Sequence, residues 1–245
     1  FLFCAPLALA GFLDDKYSLP NLFRYLIHLI TASLLVFYYQ NNILNLSLNS
    51  FDSIWILLLL IFIGTAIINF SNFMDGIDGL VISIFLIANL AFVFNNNLNI
   101  LPFVFSLLAF LIWNWPPAKI FMGDIGSTFL GATFFGLLFQ TNNIYQAISL
   151  LLILTPLLAD SSICVIRRFI SGHNIFTPHK LHVYQRLNQA GWSHLKVTRL
   201  YASGSFILSL AYLTNIFYLS LLGSLIVVLV GFYINKNHTR KFYYM

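Results

Sequence analysis

The chemistry open to this chain is concentrated in its acidic residues. All seven carboxylates are Asp, and none is Glu. Five fall in three short motifs: Asp14 and Asp15 in GFLDD, Asp75 and Asp78 in NFSNFMDGIDG, and Asp124 in FMGDIGS. Each motif stands at the end of a hydrophobic run. A charge near mid-bilayer costs at least ~2.5 kcal/mol, so a carboxylate kept close to the membrane is usually functional. Carboxylates gathered at one membrane face suit a hard divalent cation, and such a cation suits phosphate chemistry. A second group is basic. Arg167 and Arg168 close an apolar run, and His173, His179, Lys180, His182 and Arg186 follow. His179 and His182 have i, i+3 spacing, which on a helix puts both imidazoles on one face. Carboxylates for a metal and bases for a diphosphate make a coherent phosphoryl-transfer site.

These residues need a scaffold, and the composition points to one in the membrane. Hydrophobic residues make up 60% of the 245 and charged residues 8%, with a mean hydropathy of +0.87. A soluble domain of this composition would have an apolar surface. Apolar runs at about 1–13, 22–39, 53–69, 80–94, 100–113, 127–140, 146–166, 199–216 and 218–235 predict an all-α, polytopic transmembrane helical bundle of about nine spans. It is read as a single integral-membrane domain over 1–245, with one long polar segment at 167–198. The net charge of +5 is no nucleic-acid signal, because the basic residues are scattered among the runs. Their sidedness is informative. With Asp14 on the cytoplasmic side, all twelve Lys and Arg fall on that side or at adjoining span ends. The opposite connections, NNILNLSLNSFD, NNNLN and TNNIY, contain none. The positive-inside rule supports this orientation and places all three Asp motifs on one face. Cys4 and Cys164 lie in apolar stretches without metal-ligand spacing and read as small buried hydrophobes.

Each residue also has a plainer reading. Asp52, alone on the outer side, reads as a helix cap, and the Asn45 sequon reads as chance. Asp160, near the inner end of a run, reads equally as an interhelical contact or a site residue. A cap explains one of Asp14 and Asp15 but not both, since adjacent carboxylates repel unless a cation or base screens them. Asn69, Asn72 and Asp75 or Asp78 can share a helical face at three-residue spacing, while Gly76 and Gly79 permit tight turns beside a ligand. Asp124 lies between glycines where a run begins. Arg167 and Arg168 read either as diphosphate ligands or as an anionic-lipid anchor. His28 reads as a satisfied interior histidine.

LDD at 13–15, NxxNxxDGIDGL at 69–80, FMGDIGS at 121–127 and HKLHVYQRL at 179–187, preceded by Asp160 and Arg167-Arg168, resemble the motifs of the polyprenyl-phosphate N-acetylhexosamine-1-phosphate transferases. The match to the surface-polysaccharide, O-antigen-initiating branch is nearer than that to the muramoyl branch. The resemblance implies transfer of N-acetylhexosamine-1-phosphate from a UDP-N-acetylsugar to undecaprenyl phosphate with release of UMP, at the cytoplasmic face of a bacterial inner membrane. It implies Mg2+, with Mn2+ as an alternative, and is compatible with a homodimer. By motif match, Asp14, Asp15 and Asp124 are the catalytic residues, and Asp124 and Asp15 the metal ligands. Asn69, Asn72, Asp75, Asp78, Arg167, Arg168, His179, Lys180 and His182 contact the substrates. The family's N-terminal span and first loop are expected to precede Phe1. The rival function is a cation-coupled transporter, which would carry its Asp residues near the bilayer midplane within broken helices.

Overall fold

Helices are the only regular elements among the residues that the computed structural model describes, namely 2–17, 19–43, 51–95, 98–173, 177 and 179–242. The side chains of residues 2, 5, 15, 40–43 and 51–53 lie outside the description. The Asp52 cap, the Asn45 sequon and the side-chain role of Asp15 therefore fall outside the described residues. Among the described residues eleven α-helices run in order: α1 Ala5–Tyr17, α2 Asn21–Ile43, α3 Phe51–Phe73, α4 Leu80–Phe94, α5 Leu101–Asn114, α6 Gly123–Leu138, α7 Ile144–Leu152, α8 Thr155–Ile170, α9 Val183–Gln189, α10 His194–Leu213 and α11 Phe217–His238.

Three of them are long and apolar enough to cross a membrane: Asn21–Tyr39, Ile54–Phe73 and Phe217–His238. α4 and α5 are apolar but have 15 and 14 residues. At 1.5 Å per residue, each spans only about 20 Å of the ~30 Å hydrocarbon core. The run at 146–166, expected as one span, is instead two helices, α7 and α8, bent by 75° at the break. Thr155-Pro156 opens α8. A proline ring there has no N–H to continue the preceding helix, and it restricts the residue before it. The pair counted as one span raises the crossing helices to four.

The chain divides into two compact units. The first comprises Phe1–Asn72 and Met122–Ile148. Here α1 packs on α6 and on α2, and α2 packs on α6. Two glycines permit the close approaches. A Cβ on Gly11 would lie 2.7 Å from the Cα and N of Ile125, and one on Gly131 would lie 2.9 Å from the Ile68 Cα. Both obstacles are backbone, so neither can move aside cheaply.

The second unit comprises Phe73–Phe121 and Ser149–Met245. α4 is its centre, packed by α5 and α10. Twelve of its fifteen residues are buried, Ser83 and Asn89 included. Ser83 Oγ and Asn89 Nδ2 donate to the carbonyls of Gly79 and Phe85, one turn earlier, which satisfies these two donors in an apolar core; Asn89 Oδ1 has no partner among the described residues. α10 packs on α8 and α11. α11 exposes Leu222, Leu225, Ile226, Leu229 and Phe232, the pattern of a helix facing lipid.

Candidate functional site

In the first unit, Asp14 sits in the last turn of α1, and Asp124 in the first turn of α6. The close approach at Gly11 and Ile125 lies one turn from Asp14 and next to Asp124, so the same packing sets both carboxylates side by side. Between them stands Arg24 of α2. Its NH1 donates to Asp14 Oδ2 at 3.0 Å and to Asp124 Oδ2 at 2.9 Å, while NH2 donates to Asn21 Oδ1. The backbone N–H of Leu19 donates to Asp14 Oδ1 at 2.6 Å. Burial, then the hydrogen bond with Asp124, raise the Asp14 pKa above the usual carboxylate value, against the opposing pull of Arg24. Arg24, which in the sequence reads only as a marker of sidedness, is thus the base that screens Asp14 from Asp124. Two carboxylates meeting at one cationic nitrogen are oxygen donors of the kind a hard divalent cation takes, so these residues fit Mg2+. Arg24→Gln should lower the melting temperature in Mg2+-free buffer, because Asp14 and Asp124 then face each other unscreened. Added Mg2+ should restore part of the loss, and a melting curve indifferent to Mg2+ would count against a cation at this pair.

Asn69 and Asn72 both lie on α3. Asn69 Oδ1 meets His28 Nδ1 at 3.1 Å, and His28 is buried, as expected of a satisfied interior histidine. Asn72 Nδ2 donates to Ser127 Oγ at 3.2 Å, three residues past Asp124 of the third motif. Asn69 and Asn72 therefore serve packing within this unit at least as much as they offer groups to a ligand.

In the second unit, α3 ends at Phe73, so Asp75 and Asp78 do not continue the helical face of Asn69 and Asn72. They occupy the turn between α3 and α4, because Gly76 and Gly79 interrupt the helix; Gly79 takes φ +73°, a left-handed conformation. Asp78 fastens this turn. Its Oδ2 accepts from the Ala118 N–H at 3.2 Å and pairs with His194 Nδ1 at 3.2 Å, and its carbonyl accepts from Thr198 Oγ1 at 2.7 Å. Gly79 N–H donates to Asn114 Oδ1. Asp75 is half-buried.

The basic segment differs most from expectation. His179 and His182 are not on a helix: His182 is the residue before the first turn of α9. Their rings nonetheless stack, with centroids 5.0 Å apart, and His182 also stacks on Tyr184 at 5.8 Å. Asp160 explains the placement. Its carboxylate, buried at the middle of α8, accepts from the backbone N–H groups of Val183 at 2.7 Å and Tyr184 at 3.0 Å and from Tyr201 Oη at 2.7 Å. It lies 3.7 Å from His182 Nδ1. Asp160 therefore caps α9 from another helix, and of its two sequence readings the interhelical contact is the one realised. Tyr184 Oη donates to the Phe73 carbonyl, which ties α9 to the start of the turn that carries Asp75 and Asp78.

The two imidazoles titrate apart. Burial lowers the His179 pKa to about 4, helped by the charges of His182 and Arg168. Burial also opposes charge on His182, but Asp160 and Cys164 together outweigh it and push that pKa up to about 9. At neutral pH one ring is a cation and its neighbour is neutral. His179 Nδ1 accepts a 3.3 Å hydrogen bond from Leu181 N–H, which leaves Nε2–H as a donor. Paired groups driven apart in this way commonly mark a site.

Arg168 is buried and donates to the Thr177 carbonyl and hydroxyl at 3.1 and 2.8 Å. It fastens the loop after α8, which explains its burial better than either a lipid anchor or a diphosphate ligand does. Arg167 and Arg186 both stack on Phe242, and Arg186 also donates to Asn235 and Thr239. Lys180 is exposed.

Comparison with known proteins agrees with the motif reading. The family described as Glycosyl transferase family 4 matches residues 1–142. A Bacillus subtilis protein named as a probable undecaprenyl-phosphate N-acetylglucosaminyl 1-phosphate transferase is 32% identical over 82% of this chain and 61% of its own length. A Mycobacterium leprae decaprenyl-phosphate N-acetylglucosaminephosphotransferase is 30% identical over 78% of this chain and 57% of its own. A Fervidobacterium nodosum phospho-N-acetylmuramoyl-pentapeptide-transferase is 31% identical over 59% and 48%. The chain spans about three fifths of the length of the first two relatives.

Proposed function

Because the chain belongs to glycosyl transferase family 4, we propose that it transfers N-acetylhexosamine-1-phosphate from a UDP-sugar to undecaprenyl phosphate, releasing UMP. The observation that carries the reading is the convergence of Asp14 and Asp124 on Arg24, from three helices, inside the family-matched region. In this reading an oxygen of the lipid phosphate attacks the donor's β-phosphorus. The bond from that phosphorus to the bridging oxygen breaks, and UMP leaves with that oxygen. Asp124 and Asp15 would hold Mg2+, or Mn2+ in its place. The ion, when bound, neutralises charge on the diphosphate. Asp14, with its raised pKa, is suited to take a proton from the lipid phosphate. His182, as a cation, and His179, through Nε2–H, would bind the donor's diphosphate or sugar. Asn69, Asn72, Asp75 and Asp78 would contact the nucleotide.

The finer parts of the proposal follow from the sequence: about nine crossings in the membrane-embedded enzyme, an active face in the cytoplasm of a bacterium with the protein in its inner membrane, and a role in starting a surface polysaccharide such as O-antigen or a related cell-wall glycan. Asp14, Asp124, Asp75 and Asp78 lie at helix ends or in turns, and nothing in the family match supports a transporter.

UMP release by the purified protein from a panel of UDP-sugars, with undecaprenyl phosphate as acceptor, tests the reading. Release confined to N-acetylhexosamine donors is expected; none from any donor would overturn it. In the same assay, His179→Ala and His182→Ala should each lower kcat/KM by 10-fold or more, about 1.4 kcal/mol per decade. Membrane insertion should be unchanged, because sidedness rests on Lys and Arg. Full activity in both variants would remove the histidines from the donor site.

A further inference from the structure

In the sequence Cys164 reads as a small buried hydrophobe, but the fold gives it company. Its Sγ and one ring nitrogen from each of His179 and His182 all lie within 4.8 Å of one another. Cys164 and His182 are buried, at 3% and 2% exposure, and His179 is partly open, so the trio forms a closed base with one accessible side. A thiolate and two imidazoles are soft and borderline donors. They discriminate against Mg2+ and select Zn2+ or its analogues. His182 Nδ1 faces the Asp160 carboxylate without a hydrogen bond of its own. Nε2 is then the nitrogen left for a metal, and a carboxylate behind the ring is the usual partner of a metal-bound histidine.

We propose that Cys164, His179 and His182 form a binding site for Zn2+ or a similar soft divalent cation, separate from the Asp14–Asp124 pair. Three protein ligands leave the fourth tetrahedral position to water. Binding releases the thiol proton, and the proton of His182, to solvent. It also releases the long Leu181–His179 hydrogen bond, a small loss beside a metal–thiolate bond. Because it takes both imidazoles, the ion would compete with the donor. That consequence rests on the proposed transfer function; the binding itself does not.

The test is optical and needs no substrate. The purified protein, in detergent with excess Mg2+, is titrated with Co2+. A thiolate-to-cobalt charge-transfer band and tetrahedral d–d bands should appear, saturate at one ion per chain and disappear on adding Zn2+. Cys164→Ser should abolish the charge-transfer band and weaken Co2+ binding by 10-fold or more, whereas Cys4→Ser should change neither. His182→Ala should weaken binding with the charge-transfer band retained at high Co2+. No band on the wild-type protein, or an unchanged band in Cys164→Ser, would overturn the proposal. Where the UDP-sugar panel gives UMP, micromolar Zn2+ should inhibit the wild-type protein and Cys164→Ser should be at least 10-fold less sensitive. If the panel fails but the band is present and lost in Cys164→Ser, the metal site stands and the transferase reading alone falls.

Discussion

Asp124→Asn should leave the helices intact and lower UMP release by 100-fold or more. Asn matches Asp in shape, and its amide oxygen can still accept from Arg24 NH1, now 2.9 Å away from Asp124 Oδ2. What disappears is a negative charge at the start of α6, 30% exposed and directed at the same guanidinium nitrogen as Asp14. A neutral amide holds Mg2+ far more weakly than a carboxylate does. Losing several kcal/mol of transition-state stabilisation corresponds to two or more decades, at ~1.4 kcal/mol each. The measurement is initial rate against Mg2+ concentration for wild type and variant, with circular dichroism as the folding control. Near-normal turnover at low Mg2+ would show that Asp124 does not hold the metal. A variant that is merely less stable would instead regain its rate at lower temperature.

The second large effect is expected at Asp160, and it is structural. Asp160→Ala removes the acceptor of the buried Tyr184 N–H and Tyr201 Oη and of the part-buried Val183 N–H. It also leaves the His182 cation without its counter-charge. Removing one partner of a buried pair typically costs roughly 3–5 kcal/mol, a large share of an ordinary fold's stability. Thermal unfolding should shift down by many degrees, and His182 should lose its fixed place before α9. Asp160→Asn keeps one acceptor oxygen, which can serve Tyr184 N–H and Tyr201 Oη, but turns an amide N–H2 toward Val183 N–H; it too should melt lower, and the part due to charge is read from its pH profile. In the wild-type protein the His182 pKa is raised from 6.5 to about 9. The attraction therefore contributes fully below pH 6.5 and is lost as pH rises through about 9. Stability of the wild-type protein should decline across that window, and the decline should be absent in Asp160→Asn. An identical pH profile in the two proteins would show that the carboxylate acts only as a hydrogen-bond acceptor.

How much of this was legible beforehand differs from residue to residue. The helix-end positions of Asp14 and Asp124 could be read because apolar runs stop there. The Asp75–Gly79 turn could be read because glycines interrupt it. The break at the start of α8 also carried a local signal, Pro156 inside an apolar run, which hydropathy alone passes over. The bridging role of Arg24 had no such signal: membrane sidedness already explains an Arg at that point, and only the packing of α1, α2 and α6 reveals the second duty. Asp160 is similar, since its partners on α9 and α10 are tertiary contacts. The histidines show the opposite case. Their i, i+3 spacing suggested a shared helical face, and the rings are indeed neighbours, but through a cap and a stacking contact.

The reach of Asp160 has a further consequence, in chain entropy. It holds Val183 and Tyr184 from 23 and 24 residues away. The entropy of closing such a loop grows only with the logarithm of its length, so doubling it would cost about 0.6 kcal/mol. The anchors, by contrast, are worth several times that. His182 is positioned by where this stretch of chain is fastened, and hardly by how many residues lie between the fastenings.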